Sequence, residues 1–292
     1  MSGYRFFHID EEGTEYAIND QQNVYLRYGK QGFDAIRASA EMRRVPYTDG
    51  AERLGRIYHA PRRLGLPLMV KGDSQSELVA FMRTFRRRFS PYKGSSGTSY
   101  LKILTPDDVD LRIAAWVTQL SDLEMDGPCF GKFTLEYQAE AATFRAASTE
   151  TETLALPSSA GFSIPLTIPA SLASAAVDGY VSISNDGDVE SWPVIRITGA
   201  CDNPSITNDT TGLVMAVTQT QDADDYIEID MENATIQHWD NSGSSLSNII
   251  DNMSAASEFW PLERGVNTLH IEADSAVNGS IVVTYYERFL SA

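Results

Sequence analysis

The chain has 292 residues, 42% of them hydrophobic and 22% charged, with a formal net charge of −17 at pH 7. That length exceeds what one core needs and suits two domains; the composition is that of a soluble globular chain, and no apolar run is long enough to span a bilayer. Residues 1–150 hold 20 Lys and Arg against 20 Asp and Glu, whereas residues 151–292 hold 3 Arg, no Lys and 20 acidic groups. This asymmetry supports two units with different surfaces, and the acidic half should repel nucleic acid and anionic membranes.

Cys129 and Cys201 lie far apart and match no metal or redox spacing, so two isolated thiols are expected. The first ten residues lack the apolar core of a signal peptide, which predicts folding in a cytoplasm.

The first unit is expected over residues 1–147. Val24–Tyr28 reads as a short strand. Pro61 and Pro67 interrupt the next apolar run, so a strand at Leu66–Val70 is expected at a sheet edge. A helix is predicted over 74–89. Ser74 precedes Glu77 by three residues, a capping-box spacing. Leu78, Phe81 or Met82, Phe85 and Phe89 recur at helical intervals and mark a buried stripe. Arg83, Arg86, Arg87 and Arg88 lie mostly off that stripe, and the last three suit the negative C-terminal end of the helix. Ser90-Pro91 stops it, because proline disfavours helical geometry in the residue before it. Tyr100–Leu104, Val109–Leu120 and Phe133–Tyr137 then alternate as strands around a turn at Asp107-Asp108. This is a β-rich unit, barrel-like, with one helix packed on its sheet.

Residues 148–160 are polar and without a period, and read as a linker. The second unit is expected over 161–292. Short β-prone runs recur at Phe162–Ile168, Tyr180–Asn185, Val194–Thr198, Leu213–Thr218, Tyr226–Met231, Ala234–His238, Thr268–Ala273 and Ser280–Tyr286. Asn185-Asp-Gly187, Asn203-Pro204, Asn241-Ser-Gly243 and Asn278-Gly279 separate them. Asn278-Gly279 is a two-residue hairpin signal, since both central positions of that turn need positive φ. Many short strands with frequent turns argue for a β-sandwich.

Candidate chemistry is sparse. His8, His59, His238 and His270 lack the spacing of a zinc pair. His238-Trp239-Asp240 offers a possible imidazole–carboxylate pair, although an exposed or core histidine is the commoner fate of such a residue. Asp222, Asp224 and Asp225 could bind calcium as a carboxylate cluster, yet the Gly and downstream Glu of a calcium loop are missing, so a solvated hairpin tip is the stronger reading. The same holds for Asp107, Asp108 and Asp110. No phosphate-binding loop, dinucleotide turn or nucleophile elbow is present. Trp192, Trp239 and Trp260 could stack on a sugar ring, although packing is the commoner fate of tryptophan. Two of the chain's scattered carboxylates could in principle serve a glycosidase.

Four stretches carry a resemblance: Val194-Ile-Arg-Ile-Thr-Gly199; Pro204 to Gly212; Phe259-Trp-Pro-Leu262 with Gly265 and Asn267; and the closing Tyr285-Tyr-Glu-Arg288. Together they resemble the C-terminal domain of siphophage distal tail proteins. A looser likeness in the first unit takes in Gly72-Asp73, the helix and the strand–turn–strand after it; Ala139–Phe144 departs from the Asp-Pro-Phe-Phe-like step common there. The resemblance implies a mainly β (α+β) fold: an N-terminal ring-forming domain and a C-terminal galectin-like or jelly-roll sandwich. It implies a structural, non-enzymatic subunit without cofactor or metal, forming a ring, commonly a homohexamer, at the phage tail tip. Such a ring joins the tail tube protein to hub or fibre proteins, with DNA at most passing through the lumen and no membrane contact. Arg83, Arg86, Arg87, Arg88 and Trp260 are the candidate interface residues. The alternative reading is a carbohydrate-binding accessory sandwich for host-surface recognition.

Overall fold

A computed structural model describes residues 3–20, 22–27, 29–35, 37–43, 52–90, 97–155 and 177–292. The chain divides into two compact units, Met1–Ala147 with Phe289–Ala292, and Ser148–Arg288.

The strands of the first unit are β1 (Arg5–Ile9), β2 (Glu15–Ala17), β3 (Val24–Leu26), β4 (Ala38–Arg43), β5 (Glu52–His59), β6 (Arg63–Lys71), β7 (Tyr100–Leu104), β8 (Asp110–Leu120), β9 (Glu124–Met125), β10 (Phe130–Ala139) and β11 (Phe144–Ala146). Helix α1 (Gln75–Arg88) lies between β6 and β7. The main sheet runs β2-β1-β7-β8-β10-β6-β3, with β11 beside β8 and β9 beside β10. Strands β4 and β5 pair with each other in a separate two-stranded sheet.

Alternation explains the sheet. Leu111, Ile113, Ala115 and Val117 of β8, and Phe133, Leu135, Tyr137 and Ala139 of β10, all turn inward. Leu78, Met82, Phe85 and Phe89 of the helix region join the same core. The Phe85 ring meets Phe133 edge-on at 5.2 Å and lies 4.2 Å from Phe89. Between β8 and β10 the register shifts so that Thr118 is extra, a bulge of the kind that bends a strand. Among the described residues the hydrogen-bonded path ends at β2 and β3, so the unit is barrel-like in sharing one core rather than in closure.

Strand β6 departs from expectation: it has neighbours on both sides, β10 and β3, and is not an edge. Pro67 is tolerated for a local reason. Its carbonyl accepts from Arg27 N–H at 2.8 Å, so its missing N–H faces the same side, just past the end of the short β3.

The second unit comprises β12 (Glu150–Ala155), β13 (Val177–Asn185), β14 (Val194–Asp202), β15 (Ser205–Asn208), β16 (Leu213–Ala216), β17 (Thr220–Gln221), β18 (Tyr226–Asp230), β19 (Thr235–Asp240), β20 (Ser245–Asn248), β21 (Gly265–Ala273) and β22 (Ser275–Tyr285). One sheet runs β12-β22-β14-β18-β19-β20, with β17 beside β14; the other runs β13-β21-β15-β16. Ile195, Ile197, Ile227, Ile229, Ile281 and Val283 from the first face Ile183, Ile206, Met215, Leu269 and Ile271 from the second. This is a β-sandwich with one shared core, and the chain as a whole is mainly β with a single α-helix among the described residues.

Three expectations are corrected. The expected linker 148–160 begins with strand β12, paired with β22 from Glu150↔Tyr285 to Ala155↔Ser280. It shows no hydrophobic period because it is an exposed edge strand with only Leu154 half-buried. Residues 156–160, and the expected strand Phe162–Ile168, lie outside the described residues. Phe289–Ala292 belong to the first unit, not the second. Finally, Asn278-Gly279 is no hairpin turn: it lies inside β22, beside the register shift opposite Gly199. A Cβ on Gly279 would sit 1.9 Å from the Thr198 carbonyl oxygen, so glycine is there for close backbone approach.

Candidate assembly surfaces

Helix α1 is capped at its start. The Ser74 hydroxyl accepts from Glu77 N–H at 3.2 Å, and Glu77 Oε2 accepts from Asp73 N–H at 3.1 Å, which satisfies the helix start. The buried stripe fixes its rotation, so Arg83, Arg86, Arg87 and Arg88 all face outward and are exposed. Arg86 approaches Asp122 at 3.8 Å, and the Arg88 guanidinium lies 5.7 Å from the Tyr16 ring centre. The four cations are therefore gathered on an accessible surface.

Trp260, the remaining candidate interface residue, is fully buried in the core of the sandwich with Leu262. It closes that core and cannot meet a partner. Trp192 is half-buried, as is Trp239, which lies against Tyr226 with ring centres 6.2 Å apart. Of the three tryptophans named as sugar platforms, Trp260 is therefore removed, while Trp192 and Trp239 keep part of their surface open.

Two of the motif stretches, at Asn208 and Asn267, work as loop locks together with Asn185. Asn185, Ser191, Asn208 and Asn267 are all fully buried. Asn185 Nδ2 donates to the carbonyls of Val189 (2.9 Å), Leu262 (3.2 Å) and Glu263 (3.4 Å), and its Oδ1 accepts from Gly187 N–H. Asn267 Oδ1 accepts from Glu263 N–H at 2.9 Å, while its Nδ2 donates to the carbonyls of Glu263 and Gly265. Asn208 Nδ2 reaches Asn267 Oδ1 at 3.4 Å. Gly265 has φ +92°, a geometry that favours glycine, and so the Gly265–Asn267 spacing is a backbone requirement.

The acidic run at 222–225 is only partly a solvated tip. Asp225 is buried, accepts from Asn241 N–H at 2.9 Å, and sits 3.4 Å from His238 Nε2. The imidazole partner that sequence placed doubtfully at Asp240 is thus Asp225, two strands' worth of chain away. Asp110 pairs with Lys102 at 3.3 Å and lies 3.7 Å from Arg112. Cys201 is buried, and burial, with Asp202 nearby, pushes its thiol up to about 11, which makes it an inert core group. Among the described residues no group of three His, Cys, Asp or Glu is placed to hold a metal ion. No helix among them is long and apolar enough to cross a membrane.

One surface feature had no clear sequence signal. The β4–β5 hairpin stands as its own two-stranded sheet, with Met42 exposed on it at 58%. A two-stranded hairpin is marginal by itself and gains stability from packing against something else.

Comparison with known proteins agrees with this geometry. Residues 186–289 match the model of the siphovirus-type tail component C-terminal domain. The crystal structure of the SPP1 Dit (gp 19.1) protein, described as a paradigm of hub adsorption apparatus in Gram-positive infecting phages, superposes with a TM-score of 0.67 at 13% identity, covering 98% of this chain and 99% of that one. A chain of the phage p2 baseplate in its activated conformation aligns over 96% of this chain and 97% of its own at 14% identity, with a TM-score of 0.44, too loose to build on. No curated protein sequence matches the chain. Residues 186–289 thus form the C-terminal domain of the siphovirus-type tail component family, in a chain that has the fold of a siphophage distal tail protein.

Proposed function

We propose that this structural tail component builds a closed ring at the tail tip, a homohexamer, that joins the tail tube to hub or fibre proteins and carries out no catalysis. Its work is geometric: head-to-tail contacts between identical copies that close by rotation. The observation that carries this reading is the β4–β5 arm. It pairs with no other strand among the described residues and exposes Met42, and a two-stranded ribbon gains stability from a surface to rest on. A neighbouring copy supplies that surface in a ring. The exposed arginines of α1 add a second charged contact surface. The tail tip of the virion follows as its location, with synthesis in the host cytoplasm.

Negative-stain electron microscopy and native mass spectrometry on one purified sample test the proposal. Six-fold rings with a central hole are expected. Replacing Met42 by Asp should shift the population towards monomer without changing the fold. A chain that stays monomeric at all concentrations and is missing from purified tails would overturn the ring.

A further inference from the structure

The outer face of the four-stranded sheet has no assigned role. Alternation along β13 and β21 turns Ile183, Leu269 and Ile271 into the core. The opposite face therefore presents Asp178, Tyr180 and Ser182 beside Val266, Thr268, His270 and Glu272. Tyr180 is 58% exposed and Val266 64%, the two most exposed large apolar side chains among the described residues of this unit. The Tyr180 ring is pre-ordered: it lies flat against His270, with centres 4.3 Å apart and planes 4° from parallel. His270 Nε2 in turn sits 2.8 Å from Asp178 Oδ1 and 3.9 Å from Glu272 Oε1. Local desolvation, and then Asp178, Asp209 and Glu272, raise the Tyr180 phenol, so the ring sits in a negative field. Strands β13, β15, β16 and β21 contain no Lys or Arg.

An aromatic plate rimmed by carboxylates fits a guanidinium, which stacks on the ring while its N–H groups reach the acids. A neutral sugar would use the ring but leave the acidic rim without a counter-charge. The chain carries the matching surface itself. On α1, Val79 is exposed at 40%, and Arg83, Arg86 and Arg87 follow at helical spacing on the same side. Arg83 and Arg87 make no ion pair among the described residues, and the Arg86 pair with Asp122 is an exposed one at 3.8 Å.

We infer that the Tyr180 face of the sandwich in one copy receives the Val79–Arg83–Arg86–Arg87 face of α1 in a second copy. Val266 against Val79 excludes water, and the arginines meet Tyr180, Asp178 and Glu272. The inference rests on the ring reading only in requiring neighbouring copies.

Charge exchange tests it on the full chain. Asp178→Lys/Glu272→Lys and Arg83→Glu/Arg87→Glu alter exposed positions, and thermal melts confirm that each still folds. Each pair should weaken self-association at least about tenfold, read by native mass spectrometry over a concentration series. The two pairs combined should restore it to within about threefold of the parent, as coupled charges do in a double-mutant cycle. Tyr180→Ala should also weaken assembly. Parent-like assembly in either charge-reversed pair overturns the contact and leaves the ring standing. So does a combination no better than its worse half. A parent that never associates removes the ring and the contact together. If Tyr180→Ala assembles normally but loses retention on a bacterial cell-wall polysaccharide column, the face reads glycans instead and the contact is wrong.

Discussion

In the second unit the buried polar side chains are mostly amides: Asn185, Asn267 and Gln221 each meet several backbone groups, Gln221 donating to the carbonyls of Ile197, Gly199 and Asp225, and Asn208 links the Thr210 N–H to Asn267. The first unit is closed mainly by aromatic and aliphatic bulk: Phe6, Phe33, Phe85, Phe89, Phe133 and Phe144 around the leucines of β6. Its most connected buried polar group is Arg62, which donates to the carbonyls of Gly32, Phe33, Ala142 and Leu290. An amide lock demands one residue type, since any other leaves buried partners unsatisfied. A hydrophobic core tolerates exchange as long as volume and pattern are kept.

The contrast can be broken at the cores first. Trp260→Ala empties the centre of the sandwich and should cost about 3–5 kcal/mol. Calorimetry should show the melting of the second unit displaced to lower temperature while the first keeps its transition. Phe85→Ala should do the reverse by a similar amount. A single merged shift in both variants would mean that the units melt as one, and the separation into two kinds of core would lose its thermodynamic meaning.

The amide locks come next. Asn267→Ala leaves the Glu263 N–H and the carbonyls of Glu263 and Gly265 without their partner, at a cost of about 1–3 kcal/mol. Asn267→Asp should not rescue it, because a carboxylate cannot donate to those carbonyls. If the Ala variant melts like the parent, the lock is not what fixes this loop.

The smallest effect is electrostatic. Burial pushes the Asp20 carboxyl up, but the N–H groups of Val24, Gln22 and Asn23 outweigh it and hold its pKa below the ordinary 3.8. A lowered folded-state pKa contributes stability above the unfolded value that is lost as pH falls through the folded one. Asp20→Ala should therefore destabilise the first unit slightly near neutral pH and not at all well below pH 3.8. An equal penalty at both pH values would mean that geometry rather than charge does the capping.

The helix was legible because three signals coincide there: the Ser74–Glu77 cap, the Leu78 to Phe89 stripe and the arginines at the end. The sandwich strands were legible from alternating β-branched residues such as Ile195, Ile197, Ile227 and Ile229. Strands without a core to face gave no such sign. The polar edge strand β12 carries no alternation and so reads as a linker, and the β4–β5 arm drew no assignment at all. Asn278-Gly279 misled because turn preference is local, whereas the pairing of β22 with β14 is set by the tertiary fold. Trp260 showed its type but not its burial, which depends on strands distant in sequence. The Tyr180 face is the opposite case. Its alternation was visible, but sequence cannot tell which exposed side carries a partner.

The four residues that return to the first unit alter the order in which the protein can mature. Arg62 and its surroundings wait for the Leu290 carbonyl, and during synthesis that group leaves the ribosome only after the whole sandwich has emerged. The N-terminal framework is thus translated early and finished last. The sandwich is an insert in the sequence of that framework.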